Sequence, residues 1–183
     1  MDGMDAASKL GIYTLVLARY KDLINEKETH SISEIRARVS PYQDFIRNLR
    51  DSLIKDMVPY VPKSQFMIGA ERAMDYVRTI KTCEFAFTFW MEFSEMASLR
   101  FGTVMDKSIL LSSLLRSLGS EDAKVLVSRR SKAFVKFSND GRTYVFSPES
   151  GSLLMGDDAM KLFADDPVAY AFNDLVYENY EDS

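Results

Sequence analysis

The stretch that decides the fold is GTVMDKSILLSSLLRSLG, Gly102 to Gly119. From Val104 onward it carries Leu110, Leu111, Leu114, Leu115 and Leu118, so the predicted helix is apolar nearly all round. A helix of that kind packs in the middle of a domain. Gly102 introduces it with a residue that permits close chain approach, and Gly119 supplies a C-terminal stop. Asp106 and Lys107 stand side by side in the first turn, where an acid suits the positive end of the helix dipole.

Downstream, three short strands are predicted over Ala123 to Ser128, Ala133 to Phe137 and Thr143 to Phe146. Asn139-Asp140-Gly141 between the last two is a hairpin signal, because positive φ is tolerated there. Upstream, Ser64 is read as the cap of a helix with Phe66, Ala70, Ala73, Val77 and Ile80 on one face. Cys83 to Trp90 is aromatic and β-prone, and a short helical piece follows to Leu99.

Farther out, Ala6, Leu10, Tyr13, Leu17, Tyr20 and Ile24 recur at helical spacing. A second helix starts at the capping-box pair Ser31 and Glu34, with a stripe from Ile35 through Val39, Tyr42, Ile46 and Leu49 to Leu53. Ser40, Pro41 and Gln43 repeat an N-terminal signature within that stripe and predict a break. Val58-Pro-Tyr-Val-Pro62 then interrupts helix. At the other end, Pro148 to Ser183 holds nine acidic residues and one basic residue, Lys161. Its apolar residues Leu162, Phe163, Val168, Tyr170, Phe172, Leu175 and Val176 predict a folded helical segment rather than a free acidic tail.

The organisation expected is one domain over 1–183. Residues 1–63 form an N-terminal helical layer, 64–151 the core, and 152–183 an acidic C-terminal helical segment. A chain of 183 residues can bury a sizeable core without staples. Its net charge of -4 gives no general reason to expect nucleic acid or an anionic membrane. A single cysteine, Cys83, excludes an internal disulfide, and with a single histidine, His30, it excludes multi-thiolate and multi-histidine metal sites. The longest apolar stretch near the start, Gly11 to Ala18, is too short to span a bilayer. Asp2 and Asp5 precede it where a signal peptide would be basic, so a reducing cytoplasm is the expected compartment.

The helix block carries a resemblance. Gly102 to Gly119 resembles the core signature of the transglutaminase-like superfamily, whose Gly-x-Cys-x-Asp start precedes a Leu/Ala-rich helix with an Arg-x-x-Gly end. Lys132-Ala-Phe-Val-Lys-Phe137 stands where that family writes His-Ala-Trp/Tyr-Val-Glu-Val. Asp140-Gly-Arg-Thr-Tyr-Val-Phe-Ser-Pro148 stands where it writes a Gly, a few residues, then apolar-Asp-Pro. The similarity covers about Ala70 to Gly151. It implies an α+β fold with a papain-like core, a buried central helix against a small antiparallel sheet, and extra helices at both ends. It also implies that the family's Cys, His and Asp positions are occupied here by Val104, Lys132 and Ser147. Valine offers no nucleophile, lysine does not replace an orientable imidazole, and serine carries no charge to fix one.

The eight glycines are scattered and no Gly-x-Gly occurs, so no glycine-rich phosphate loop is present. A Cys83–His30 pair and a Lys132–Ser147 pair are the two ways an active centre could have been relocated. Arg129, Arg130 and Lys132 form a basic hairpin, read as facing the acidic C-terminal part, and Trp90 marks a candidate groove. The resulting expectation is a catalytically inactive transglutaminase-like protein, without metal or cofactor, that binds a peptide or protein or plays a structural role. A hydrolase or acyltransferase with relocated groups and a nucleic-acid-binding module are the alternatives.

Overall fold

The computed structural model describes residues 10–16, 18, 31–84 and 90–180. Residues 10–16 are helical, in line with the first stripe. The rest of that stripe and His30 lie outside the described residues, as do Phe85, Phe87 and Phe89.

The helical layer is built as its caps dictate. Helix α1 (Ile32–Arg38) carries the full capping box, with the Ser31 side chain accepting from Glu34 N–H and the Glu34 carboxylate accepting from Ser31 N–H. The chain breaks after Val39, and α2 (Asp44–Leu53) begins at Gln43 rather than at Ser40. Ser40 instead opens a turn in which its carbonyl accepts from Gln43 N–H at 3.2 Å, and its own N–H donates to Ser113 Oγ, 3.1 Å away on the central helix. Helix α3 (Pro62–Arg78) starts two residues before Ser64, with Pro62 in the first turn, where a missing N–H costs nothing. It buries Phe66, Ala70, Ala73, Met74 and Val77.

Strand β1 (Lys81–Thr82) runs parallel to β2 (Phe101–Gly102), and α4 (Phe93–Leu99) lies between them in sequence. Gly102 lets the chain pass close to α4: a Cβ there would fall 2.6 Å from Met96 Sδ, and the buried Met96 side chain would have to shift. The central helix α5 (Val104–Ser117) follows, and Leu110, Leu111, Leu114, Leu115 and Leu118 are fully buried. Strands β3 (Lys124–Ser128), β4 (Ala133–Asn139) and β5 (Arg142–Phe146) then form an antiparallel meander. Asp140 and Gly141 both take positive φ in the β4–β5 hairpin, as its sequence requires.

The acidic segment departs from expectation. It continues as β6 (Leu153–Met155), one short helix α6 (Asp157–Lys161), β7 (Val168–Phe172) and β8 (Tyr177–Asn179). The sheet order is β6-β5-β4-β3-β7-β8, so β7 pairs with β3 in the middle of the sheet. The helical reading of Leu162 to Val176 is therefore corrected. Val168-Ala-Tyr-Ala-Phe172 alternates large and small side chains with period two. Tyr170 and Phe172 turn to the face that packs on α5, and Ala171 turns to the other.

The two sheet faces bury different cores. The larger joins α2, α3 and α5 to Val125, Val127, Ala133, Val135, Phe137, Phe146 and Phe172. The smaller places Leu126, Phe134, Val145 and Ala171 beneath Ala159 of α6, with Phe163 edge-on to Phe134. Arg116 fastens the C-terminal end of α5 to the β7–β8 turn by a two-pronged pair with Asp174, at 2.7 and 3.2 Å.

Candidate functional site

The first turn of α5 is where a thiolate would gain from helix polarity. Its cap is Thr103, and Val104, the first helical residue, packs half-buried against the large core. One turn on, Lys107 is only 3% exposed. Its ammonium donates to Thr82 Oγ1 at 2.9 Å and to the Pro148 carbonyl at 2.8 Å. The bonds tie α5 to β1 and to the turn after β5. Burial pushes the Lys107 pKa down. Asp106 beside it closes the capping box: Oδ2 accepts from Thr103 N–H at 3.1 Å and Thr103 Oγ1 at 2.8 Å, and Oδ1 accepts from Met91 N–H at 3.3 Å. Desolvation raises its carboxyl to about 6 against those bonds.

Cys83 borders the same turn, its N–H donating to Gly102 O at 3.0 Å. The thiol is 5% exposed. Burial, followed by the nearby Asp106 charge, pushes it up to about 12. A thiol in that state supplies almost no nucleophile at neutral pH.

Lys132 stands apart. Ala133, Val135 and Phe137 face α5, whereas Phe134 faces the smaller core. By strand alternation Lys132 falls on Phe134's side, away from Val104, and its side chain is exposed. Its N–H donates to Ser128 Oγ at 3.1 Å. Ser128 Oγ in turn donates to Asp166 Oδ2 at 2.7 Å, and Arg130 N–H donates to Asp166 Oδ1 at 3.0 Å. These bonds, with the charges of Arg130 and Lys132, hold the Asp166 carboxyl below its usual range. An acid thus meets the exposed hairpin tip of Arg129, Arg130 and Lys132. Ser147 ends in a turn, its Oγ accepting from Ser150 N–H at 3.4 Å and its carbonyl from Gly151 N–H at 2.8 Å. Lys107 thus links the helix turn that carries Val104 to the turn that carries Ser147, and Lys132 joins neither.

Trp90 lines a separate cavity of about 330 Å³ between the α1–α2 break, the segment 90–93 and α5. Arg38 lies over its ring at 5.4 Å. Asp106 and Glu92 share that wall. In the sequence Asp106 and Lys107 read as helix capping, and nothing singles out Arg38. The signal for Lys107 was present: it is the one lysine in a helix otherwise apolar enough to be buried. Among the described residues no group of three or more His, Cys, Asp or Glu could hold a metal, and no helix is long and apolar enough to cross a membrane.

Neither a protein-family model nor a curated protein matches the sequence. Solved structures do match in shape. Legionella pneumophila LapG superposes with a TM-score of 0.54 at 15% identity, covering 83% of this chain and 89% of that one. Its calcium-bound form gives 0.55 at 15% identity with the same coverage. The EGTA-treated form gives 0.56 at 14%, covering 83% of this chain and 87% of that one. The fold is transglutaminase-like. At this identity the likeness concerns the path of the chain, and the transglutaminase-like scaffold leaves the chemistry to individual side chains.

Proposed function

We propose that this chain is a non-catalytic transglutaminase-like protein of the cytoplasm that serves as a peptide- or protein-binding scaffold. The observation that carries the reading is Lys107. Its side chain reaches from the first turn of α5 to β1 and the turn after β5, hydrogen-bonded to Thr82 and to Pro148. Val104 and Ser147 bring no nucleophile and no carboxylate to that place. The fold then offers a rigid framework whose remaining use is recognition.

A second reading draws on Cys83, which lies beside Asp106 and Lys107 at the helix start. A relocated thiol enzyme would need that sulfur ionised and open to substrate. A thiol raised to about 12 and almost fully covered argues against it. The basic hairpin gives less support to nucleic-acid binding, because the Asp166 carboxylate stands at its tip, bonded to Ser128 Oγ and Arg130 N–H.

The test is a panel of fluorogenic amide and ester peptides with purified protein, alongside selection from a displayed peptide library. The expected result is no turnover and one family of selected peptides that bind saturably. Turnover that disappears in Cys83→Ala would replace this reading with the relocated enzyme.

A further inference from the structure

The cavity beside Trp90 gathers charged groups whose bonding capacity is not used up. The Arg38 guanidinium carbon lies over the indole ring, 5.4 Å from its centroid, a contact that spends none of its N–H donors on a hydrogen-bond acceptor. Glu92 Oε1 is 4.0 Å away, beyond hydrogen-bonding distance. Asp106 commits Oδ2 to the helix cap, while Oδ1 takes one long bond from Met91 N–H. A carboxylate oxygen has room for two donors. Burial has raised the Asp106 carboxyl to about 6, so its negative charge is under-compensated. Met91, Phe93 and Ile109 supply the apolar part of the wall, and Ser40 and Gln43 add polar groups at the α1–α2 break. A volume of about 330 Å³ sits at the small end of ligand pockets, roughly 300–1,000 Å³.

The geometry points to a binding site for a free apolar α-amino acid, with its carboxylate on the N–H donors of Arg38 and its ammonium on Asp106 Oδ1 and Glu92. The apolar side chain rests on Phe93 and Ile109. Arginine matches a carboxylate with two parallel N–H bonds, which an amide or ester cannot return with equal strength. Two carboxylates facing one guanidinium leave a negative excess for the ammonium. An amine alone would leave Arg38 unanswered, and a carboxylate alone would leave Asp106 so. This site is independent of the function proposed above, because neither Lys107 nor Val104 lines it.

Trp90 is the chain's single tryptophan, so intrinsic fluorescence reports on the cavity directly. L-leucine, L-methionine and L-phenylalanine are titrated into the intact protein. The expected result is a saturable change with at least one of them. N-acetyl-L-leucine, lacking the ammonium, and L-leucinamide, lacking the carboxylate, then bind at least about tenfold more weakly than L-leucine. Arg38→Gln and Glu92→Gln are each expected to weaken binding about tenfold while circular dichroism and thermal midpoint stay unchanged. If Arg38→Gln perturbs the fold, Glu92→Gln, at an exposed side chain, still decides. The proposal is overturned if none of the three amino acids gives a saturable change at tens of millimolar. It is overturned equally if the acetylated or amidated forms bind as well as leucine.

Discussion

Lys107 holds a buried ammonium without a carboxylate in hydrogen-bonding contact, using Thr82 and Pro148 in place of a counter-ion. Lys107→Ala would remove three methylenes and the ammonium from a closed space and strand the Pro148 carbonyl. A loss of about 2–4 kcal/mol is expected in urea denaturation. Val104 tests the alignment. Valine and cysteine are close in size, so Val104→Cys should cost less than about 1.5 kcal/mol. Adding Lys132→His should leave that thiol's titration unchanged, since position 132 lies on the far side of the sheet; a lowered thiol pKa in the double variant would show the two positions in contact. Asp106 predicts an unusual pH response. Its folded pKa is raised, to about 6 from 3.8. Ionising it therefore opposes folding, fully above pH 6, and the penalty fades as pH falls toward 3.8. Relative to Asp106→Asn, the protein should gain about 1 kcal/mol between pH 7.5 and 5. Asp56, held down to about 2 by its bond with Arg72, acts with the opposite sign and only in stronger acid. The sequence displayed the absence of a nucleophile at Val104 plainly. It hid the facing of Lys132, because a one-residue difference in register leaves the composition of a strand unchanged while reversing every side chain.

Among the elements, the joint between α5 and the β7–β8 turn carries the largest single-contact prediction. Arg116 also donates to the carbonyls of Ser120 and Glu121, so its guanidinium is held on several sides. Asp174→Ala would leave that charge covered and without its counter-ion. A loss of about 3–5 kcal/mol is expected in thermal or urea unfolding. The same contact explains why the C-terminal segment belongs to the fold, where its acidic composition suggested an appended layer. Helices were legible here because Ser31–Glu34, Pro41 and Gly119 are local signals that act through their own neighbours. β7 was not, since a five-residue apolar run satisfies either period and its partner, β3, is remote in sequence. Amide exchange should separate the two readings. Ala171 N–H, in a ladder flanked by β3 and β8, is expected among the slowest of the C-terminal third.

At the scale of the whole molecule, one core cluster runs from Val16 to Phe172 and takes in both the helical layer and the sheet. Calorimetric unfolding is therefore expected as one transition, with equal van't Hoff and calorimetric enthalpies; separate melting of residues 31–63 would show that the helical layer is an independent unit. The place of β7 also sets a schedule for the newborn chain. Leu126 pairs with Ala171, about 45 residues later. At ordinary rates of translation the two are separated by roughly 2–9 s. In the later part of that interval the meander β3-β4-β5 has been synthesised while β3 is still a bare edge, and until α6 follows Leu126 and Phe134 lack their lid. A codon-level delay before residue 172 would lengthen the interval in which neighbouring nascent chains can take β7's place.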